Sequence, residues 1–232
     1  MLGRIPSERR FGSQRSGETE AMRCVVWLTL SGVFAAVSGC ASHPSLGEPI
    51  DDAPRRTALL QAYPRPDVPK AVFRTLIRWG GRQISLTEVV KAAPEGGVAV
   101  AGITDISSTL YAAQVGPDGR GRVISNSLPF SDQWLLDGLV AELLVPWYGP
   151  NETCQLHRQP DNAWVLACQE GRITRLFIFD EAGNWQQFHR LSGSRLLSRT
   201  FLDWDGEPVP RIMRVDNSGK NYHAVRERVS IR

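Results

Sequence analysis

Hydrophobic and polar positions change period several times along this chain. Cys24 to Val37 form a run of fourteen residues without a charge, preceded by the basic Arg23 and ending in Val37-Ser38-Gly39-Cys40. From Ala71 onward, short apolar and β-branched segments alternate with turn residues. AVFRTLIR, ISLTEVVKAA, VAVAGITD and SSTLYAAQV are divided by WGGRQ and PEGG, and the last is followed by GPDGRG. This is the pattern of antiparallel strands joined by tight turns. Arg122 to Asn126 pairs back on the strand before it, so four or five strands form a meander.

The period then becomes helical. Ser131 or Asp132 can cap, Leu135, Leu136, Leu139, Val140, Leu143 and Leu144 recur on one stripe, and Pro146 ends the run. The pattern predicts an amphipathic helix of about 14 residues lying over a sheet, with Asp132, Asp137 and Glu142 away from the apolar stripe. Strands return at Cys154–Gln159, Ala163–Cys168, Ile173–Phe179, Trp185–Leu191, Arg195–Trp204, Arg211–Val215 and Tyr222–Ile231. In the last of these, Val225, Glu227, Val229 and Ile231 share one face and Arg226, Arg228, Ser230 and Arg232 the other, giving the one apolar and one solvated face that a single curved sheet needs. The predicted class is mainly β (α+β): a single curved antiparallel sheet of about 10–11 strands with one helix against its concave face.

The apolar run near the N-terminus has the length of a signal-peptide core and falls short of the roughly 20 residues that a spanning helix needs. Its ending is a lipobox: an aliphatic residue, two small ones, and a cysteine whose thiol accepts a diacylglyceryl group before cleavage between Gly39 and Cys40. Residues 22–39 therefore read as a lipoprotein signal peptide and Cys40 as the lipidated N-terminus. Residues 1–21 are polar and aperiodic, and translation is expected to start at Met22; Arg9-Arg10-Phe11 has its phenylalanine one place too early for a twin-arginine signal. Residues 40–69, rich in Pro, Ser and Asp without a hydrophobic period, read as a lipidated flexible tether. Ala41, rather than Asp, follows Cys40, which under the enterobacterial sorting rule implies the outer membrane, periplasmic face.

Cleavage changes the charge picture. Positions 1–39 carry five of the 27 basic and three of the 24 acidic residues, leaving 22 against 21 in a mature chain of 193 residues. That length suits one domain, 70–232, with a sizeable core. Near-neutrality, with no basic run, argues against nucleic acid as a partner.

Catalytic patterns are missing. His43, His157, His189 and His223 are scattered without metal-ligand spacing, and Leu191-Ser192-Gly193-Ser194-Arg195 is not a nucleophile elbow. Asp203 and Asp205 flank Trp204 in a stretch that reads as a turn. No catalytic residue, metal site or cofactor is expected. If Pro160-Asp161-Asn162 form a hairpin loop, Cys154 falls opposite Cys168. A non-hydrogen-bonded antiparallel pair has Cα atoms about 4.5 Å apart, close enough for a disulfide, and an exported chain meets an oxidising compartment. A cross-strand disulfide is expected, two buried thiols being the alternative if the register slips by one.

Meander, helix and second run of strands behind a lipobox resemble the LolA/LolB superfamily. More closely, the chain resembles the small lipoproteins of aryl-polyene-type lipid gene clusters. The matching residues are Arg82-Gln83-Ile84-Ser85-Leu86, Glu88-Val89-Val90, Leu128-Pro129, the helix Leu135-Leu136-Asp137-Gly138-Leu139-Val140-Ala141-Glu142-Leu143 and the Tyr222–Ile231 strand, within residues 70–232. The helix ends Val145-Pro146-Trp147 where the family has Trp-Pro, and no segment matches the protruding hydrophobic loop of LolB-type proteins. The resemblance implies an open half-barrel with a helical lid over an apolar cavity that takes acyl chains. On this chain Leu135, Leu136, Leu139 and Leu143 would form the lipid-binding wall. It implies a non-enzymatic, monomeric carrier of an acyl-bearing lipid or lipoprotein. The alternative is a scaffold with a filled core whose outer surface docks an envelope protein.

Overall fold

The computed structural model describes residues 46–93 and 96–232. The expected signal peptide, with Gly39 and Cys40, lies outside the described residues. Twelve strands succeed one another: β1 (Lys70–Trp79), β2 (Arg82–Ala92), β3 (Val98–Ile103), β4 (Thr109–Val115), β5 (Gly121–Asn126), β6 (Gln155–Arg158), β7 (Trp164–Glu170), β8 (Ile173–Phe179), β9 (Trp185–Ser192), β10 (Arg195–Asp203), β11 (Ile212–Asn217) and β12 (Tyr222–Ile231). They form one sheet in the spatial order β5-β4-β3-β2-β1-β12-β11-β10-β9-β8-β7-β6. Two meanders, β1 to β5 and β6 to β12, are joined where the first and last strands pair antiparallel. The edges β5 and β6 do not meet, so the curved sheet stays open, with slightly more strands than expected.

Local chemistry explains the hairpins. Gly80 and Gly81 supply the positive φ values of 50° and 75° that the β1–β2 turn requires. In the β6–β7 hairpin Gln155 pairs with Ala167 and Arg158 with Trp164, the register set by a loop centred on Asp161. Cys154 and Cys168 form a disulfide with Cα atoms 4.3 Å apart.

Long-range pairing overturns one sequence assignment. In β12 the inward residues are Tyr222, Ala224 and Arg226, all at most 1% exposed, whereas Val225 is 42% and Val229 58% exposed. The partner strand decides this. Phe73 and Ile77 of β1 point into the core, and between them Thr75 lies opposite Arg226. Strand side chains alternate with a period of two, so this register turns the valines outward.

The helix also departs from the simple pattern. Ser131 caps it by accepting the Trp134 amide hydrogen at 3.1 Å. It runs as α-helix over Asp132–Leu135, as a π-helical turn over Leu136–Val140 and as α-helix again over Ala141–Leu143, ending before Pro146. A π turn holds one more residue than an α turn and rotates the next turn of helix about the axis. Glu142, expected off the apolar stripe, is consequently fully buried. Gly138 sits within the π turn, where an added Cβ would lie 3.0 Å from the Lys220 side chain and 3.5 Å from the Tyr222 ring.

The expected flexible tether also needs correction. Ala53–Ala62 form a helix, α1, capped by the Asp52 carboxylate on the Arg55 amide at 2.9 Å, with a proline in its first turn. Leu59 and the following Tyr63 are 1% and 3% exposed and belong to the main core. Tyr63 donates to the Val145 carbonyl at 2.6 Å and packs on Phe177 and Trp185, with ring centroids 5.5 and 4.5 Å away. Upstream, Ile50 donates its amide to the Leu156 carbonyl at 2.8 Å, and His157 Nδ1 lies 2.8 Å from the Gly47 carbonyl. This segment covers edge strand β6, whose unpaired backbone would otherwise invite pairing with another chain.

Candidate functional site

The core between helix and sheet contains two buried ionic clusters that the sequence did not announce. In the first, Glu88 accepts hydrogen bonds from Thr75 Oγ1 at 2.7 Å, from Arg226 Nε at 2.6 Å and from the Tyr111 hydroxyl. Arg226 Nη2 also donates to the Leu139 carbonyl at 3.0 Å, pinning the π turn to the sheet. Glu88, Gly102 and Tyr111 lie in one row across β2, β3 and β4. A Cβ at Gly102 would stand 2.2 Å from the Tyr111 ring, so only glycine lets the ring cross the strand to reach the carboxylate. Burial pulls the Arg226 guanidinium down, but the charge and hydrogen bond of Glu88 outweigh it, and its pKa stands above the ordinary value. Burial, then the Glu88 charge, raises the Tyr111 phenol.

In the second cluster, buried Glu142 accepts from Ser198 Oγ and, at 2.9 Å, from Thr200 Oγ1. Arg190 Nη1 lies 3.5 Å from the same carboxylate and donates to the Asp137 carbonyl of the π turn. Two sheet arginines thus donate to carbonyls of the π turn, and each also meets a buried carboxylate. The helix is fastened by polar contacts as well as by packing.

Beside this anchored helix lies a cavity of about 820 Å³. It is bounded by the β4–β5 turn, the helix, the segment after the helix, and the inner faces of β8 and β9. Val115, Leu136, Val140, Leu144, Ile173 and Phe188 supply its apolar surface. Gly121 brings β5 against the helix, since a Cβ there would meet Leu136 at 2.8 Å. At the end of the cavity Tyr148 donates to the Val115 and Gly116 carbonyls at 3.1 and 2.9 Å. Burial, with the Asp118 charge second, pushes its phenol up to about 12.

Charged groups mark the rest of the lining. Arg120 and Asp118 face each other at 3.6 Å at the exposed mouth. Deeper, Arg175 on β8 and Arg190 on β9 are direct register partners, and their side chains are only 19% and 16% exposed. Arg175 pairs with Glu170 and donates to the Tyr148 carbonyl at 3.3 Å. Its pKa is lowered by burial, against the Glu170 charge, and the neighbouring Arg190 lowers it further.

The predicted site residues divide. Leu136 lines the cavity. Leu135, Leu139 and Leu143 are fully buried in the packed core, because the π turn directs them at the sheet. The residues missed were the arginines and the far wall. Each interrupts an apolar inward set, Arg175 between Ile173 and Phe177 and Arg190 two places after Phe188, and that interruption was the available signal. Asp203 and Asp205 are taken by Arg211 and Arg228. Among the described residues no three His, Cys, Asp or Glu side chains gather as metal ligands would.

No family model matches the chain, and no curated protein matches it. Solved structures similar to it include a LolA superfamily protein from Nitrosomonas europaea, at 10% identity over 76% of this chain and 92% of that one, with a TM-score of 0.46. A DUF1329 family protein from Desulfovibrio piger matches at 12% identity over 76% and 89% of the two chains, with a TM-score of 0.41. An outer membrane lipoprotein-sorting protein domain from Vibrio parahaemolyticus matches at 9% identity over 78% and 89%, again at 0.41.

Proposed function

We propose that this chain is an outer-membrane lipoprotein, held at the periplasmic face through a diacylglyceryl group on Cys40, that binds or helps transfer an acyl-bearing lipid or lipoprotein across the periplasm. The observation that carries this reading is the cavity of about 820 Å³ beside the helix, lined by apolar side chains with charged groups at its mouth and on its deep wall. That volume lies within the span of about 300–1,000 Å³ of small-ligand sites. Each methylene shielded from water there would contribute about 0.8 kcal/mol. Binding of this kind needs no catalytic residue, and the reading is that of a monomeric carrier rather than an enzyme.

A second reading is favoured by the packing of Leu135, Leu139 and Leu143, which leaves much of the concavity filled. In it the domain is an anchored scaffold for an envelope protein. Mass spectrometry of what copurifies with residues 41–232, expressed into the periplasm, separates the two. Phospholipid, fatty acid or polyene-type lipid near one molecule per chain is expected of the carrier. An empty protein that takes up no fluorescent fatty acid would leave only the scaffold.

A further inference from the structure

The deep wall of the cavity presents an electrostatic problem. Arg175 and Arg190 stand directly opposite each other on adjacent antiparallel strands, both facing inward and both mostly buried. Like charges in directly opposed cross-strand positions repel, and screening by water is weak where both side chains are enclosed. Their protein partners compensate only in part. Glu170, which pairs with Arg175, has a side chain 53% exposed, so it neutralises from the solvent side. Glu142 is 3.5 Å from Arg190 and already accepts from Ser198 and Thr200. Among the described residues Arg175 Nε is buried without a hydrogen-bond partner. Guanidinium groups offer forked donors suited to carboxylate or phosphate oxygens. The apolar surfaces of Leu136, Val140, Leu144 and Phe188 continue from this pair within the same cavity.

We infer that the cavity recognises an anionic amphiphile: the carboxylate or phosphate of a lipid rests between Arg175 and Arg190 while its acyl chain lies along Leu136, Val140, Leu144 and Phe188. The inference rests on the acyl-binding reading above and adds the charge of the ligand to it. An anion between the two arginines removes their repulsion and satisfies the unpartnered donor. A neutral ester of the same chain gains the apolar contact alone.

The test uses the full chain in phosphatidylcholine nanodiscs, with photoactivatable diazirine palmitic acid and its methyl ester as probes and labelled sites read by peptide mass spectrometry. The acid is expected to label the 136–144 segment about tenfold more than the ester, the size of effect expected of charge-assisted hydrogen bonds. Arg175→Gln should remove that preference, so that the acid labels the segment no more than the ester does in the same variant. Arg190→Lys, which keeps a charge on a residue that also fastens the helix, should reduce the preference without abolishing it. Equal labelling by acid and ester in the unaltered protein would overturn the anion inference while acyl binding stood. No cavity labelling by either probe would sink acyl binding itself. A third arm uses inorganic phosphate alone. Phosphate that raises the melting temperature of the unaltered protein but not of Arg175→Gln, with no labelling of the cavity by the acid, would make the site one for a free anion and overturn the lipid assignment.

Discussion

Arg226 is fully buried, yet it lies on a strand whose valines face solvent. Such an inversion persists because the charge is matched: Glu88 supplies the counter-ion, and Tyr111 and Thr75 donate to further acceptor positions of the carboxylate. Removing one member of a buried pair leaves an uncompensated charge, which typically costs about 3–5 kcal/mol, whereas replacing both with apolar groups is often close to neutral. Arg226→Met is therefore expected to lower stability by about 3–5 kcal/mol, and Glu88→Leu combined with Arg226→Met to recover most of the loss in urea denaturation. A single-variant loss below about 1 kcal/mol would mean that the pair is not desolvated as described. His189 makes a second residue-scale case. Burial, then the charge of Arg199, lowers its pKa from 6.5 to about 4. The folded protein keeps the ring neutral while the unfolded chain takes up a proton below pH 6.5, so this contribution is complete above that pH and is lost as pH falls toward 4. The contribution is about 3 kcal/mol. His189→Gln should flatten this part of the acid limb, and an unchanged difference in stability between pH 7 and pH 4 would refute the assignment. Neither residue was legible as buried. Glu88 sits between Leu86 and Val90 in an otherwise apolar alternation, which hinted at its direction but not at its partner.

At the scale of elements, the two helices show where periodicity misleads. Arg55, Arg56 and Gln61 leave α1 with little apolar stripe, so it looks like linker. Its place comes from a cap, Leu59, and the tyrosine just beyond its end. Gly149 is part of the same arrangement: a Cβ there would stand 2.2 Å from the Tyr63 ring. Leu59→Ala should cost about 2–5 kcal/mol, as buried leucines do. Hydrogen exchange should show residues 53–63 protected in parallel with β7 and β8. Exchange of that segment at the rate of an unstructured peptide, with β7 and β8 protected, would restore the tether. The second helix was legible in position and cap but not in its π turn. Nothing in an apolar stripe announces that Arg190 and Arg226 will approach its carbonyls from the sheet, and the turn is what carries Glu142 inward.

For the whole molecule, the open sheet is a consequence of connectivity. The chain runs from edge strand β5 through the helix to the opposite edge β6, while β1 and β12 pair in the middle. The sequence by itself determined what short-range physics controls: the alternation that makes strands, the glycine-rich and Pro-Asp-Asn turns, the register of the β6–β7 hairpin, and the location of the helix. These depend on neighbours a few residues apart. Only the tertiary structure decided which face of β12 is inward, which charges are buried, and which residues wall the cavity. Those outcomes depend on contacts between distant segments, such as Arg226 with Glu88 across 138 positions of sequence. A strand carries no local record of its long-range register, and one step of that register exchanges its buried face for its exposed one.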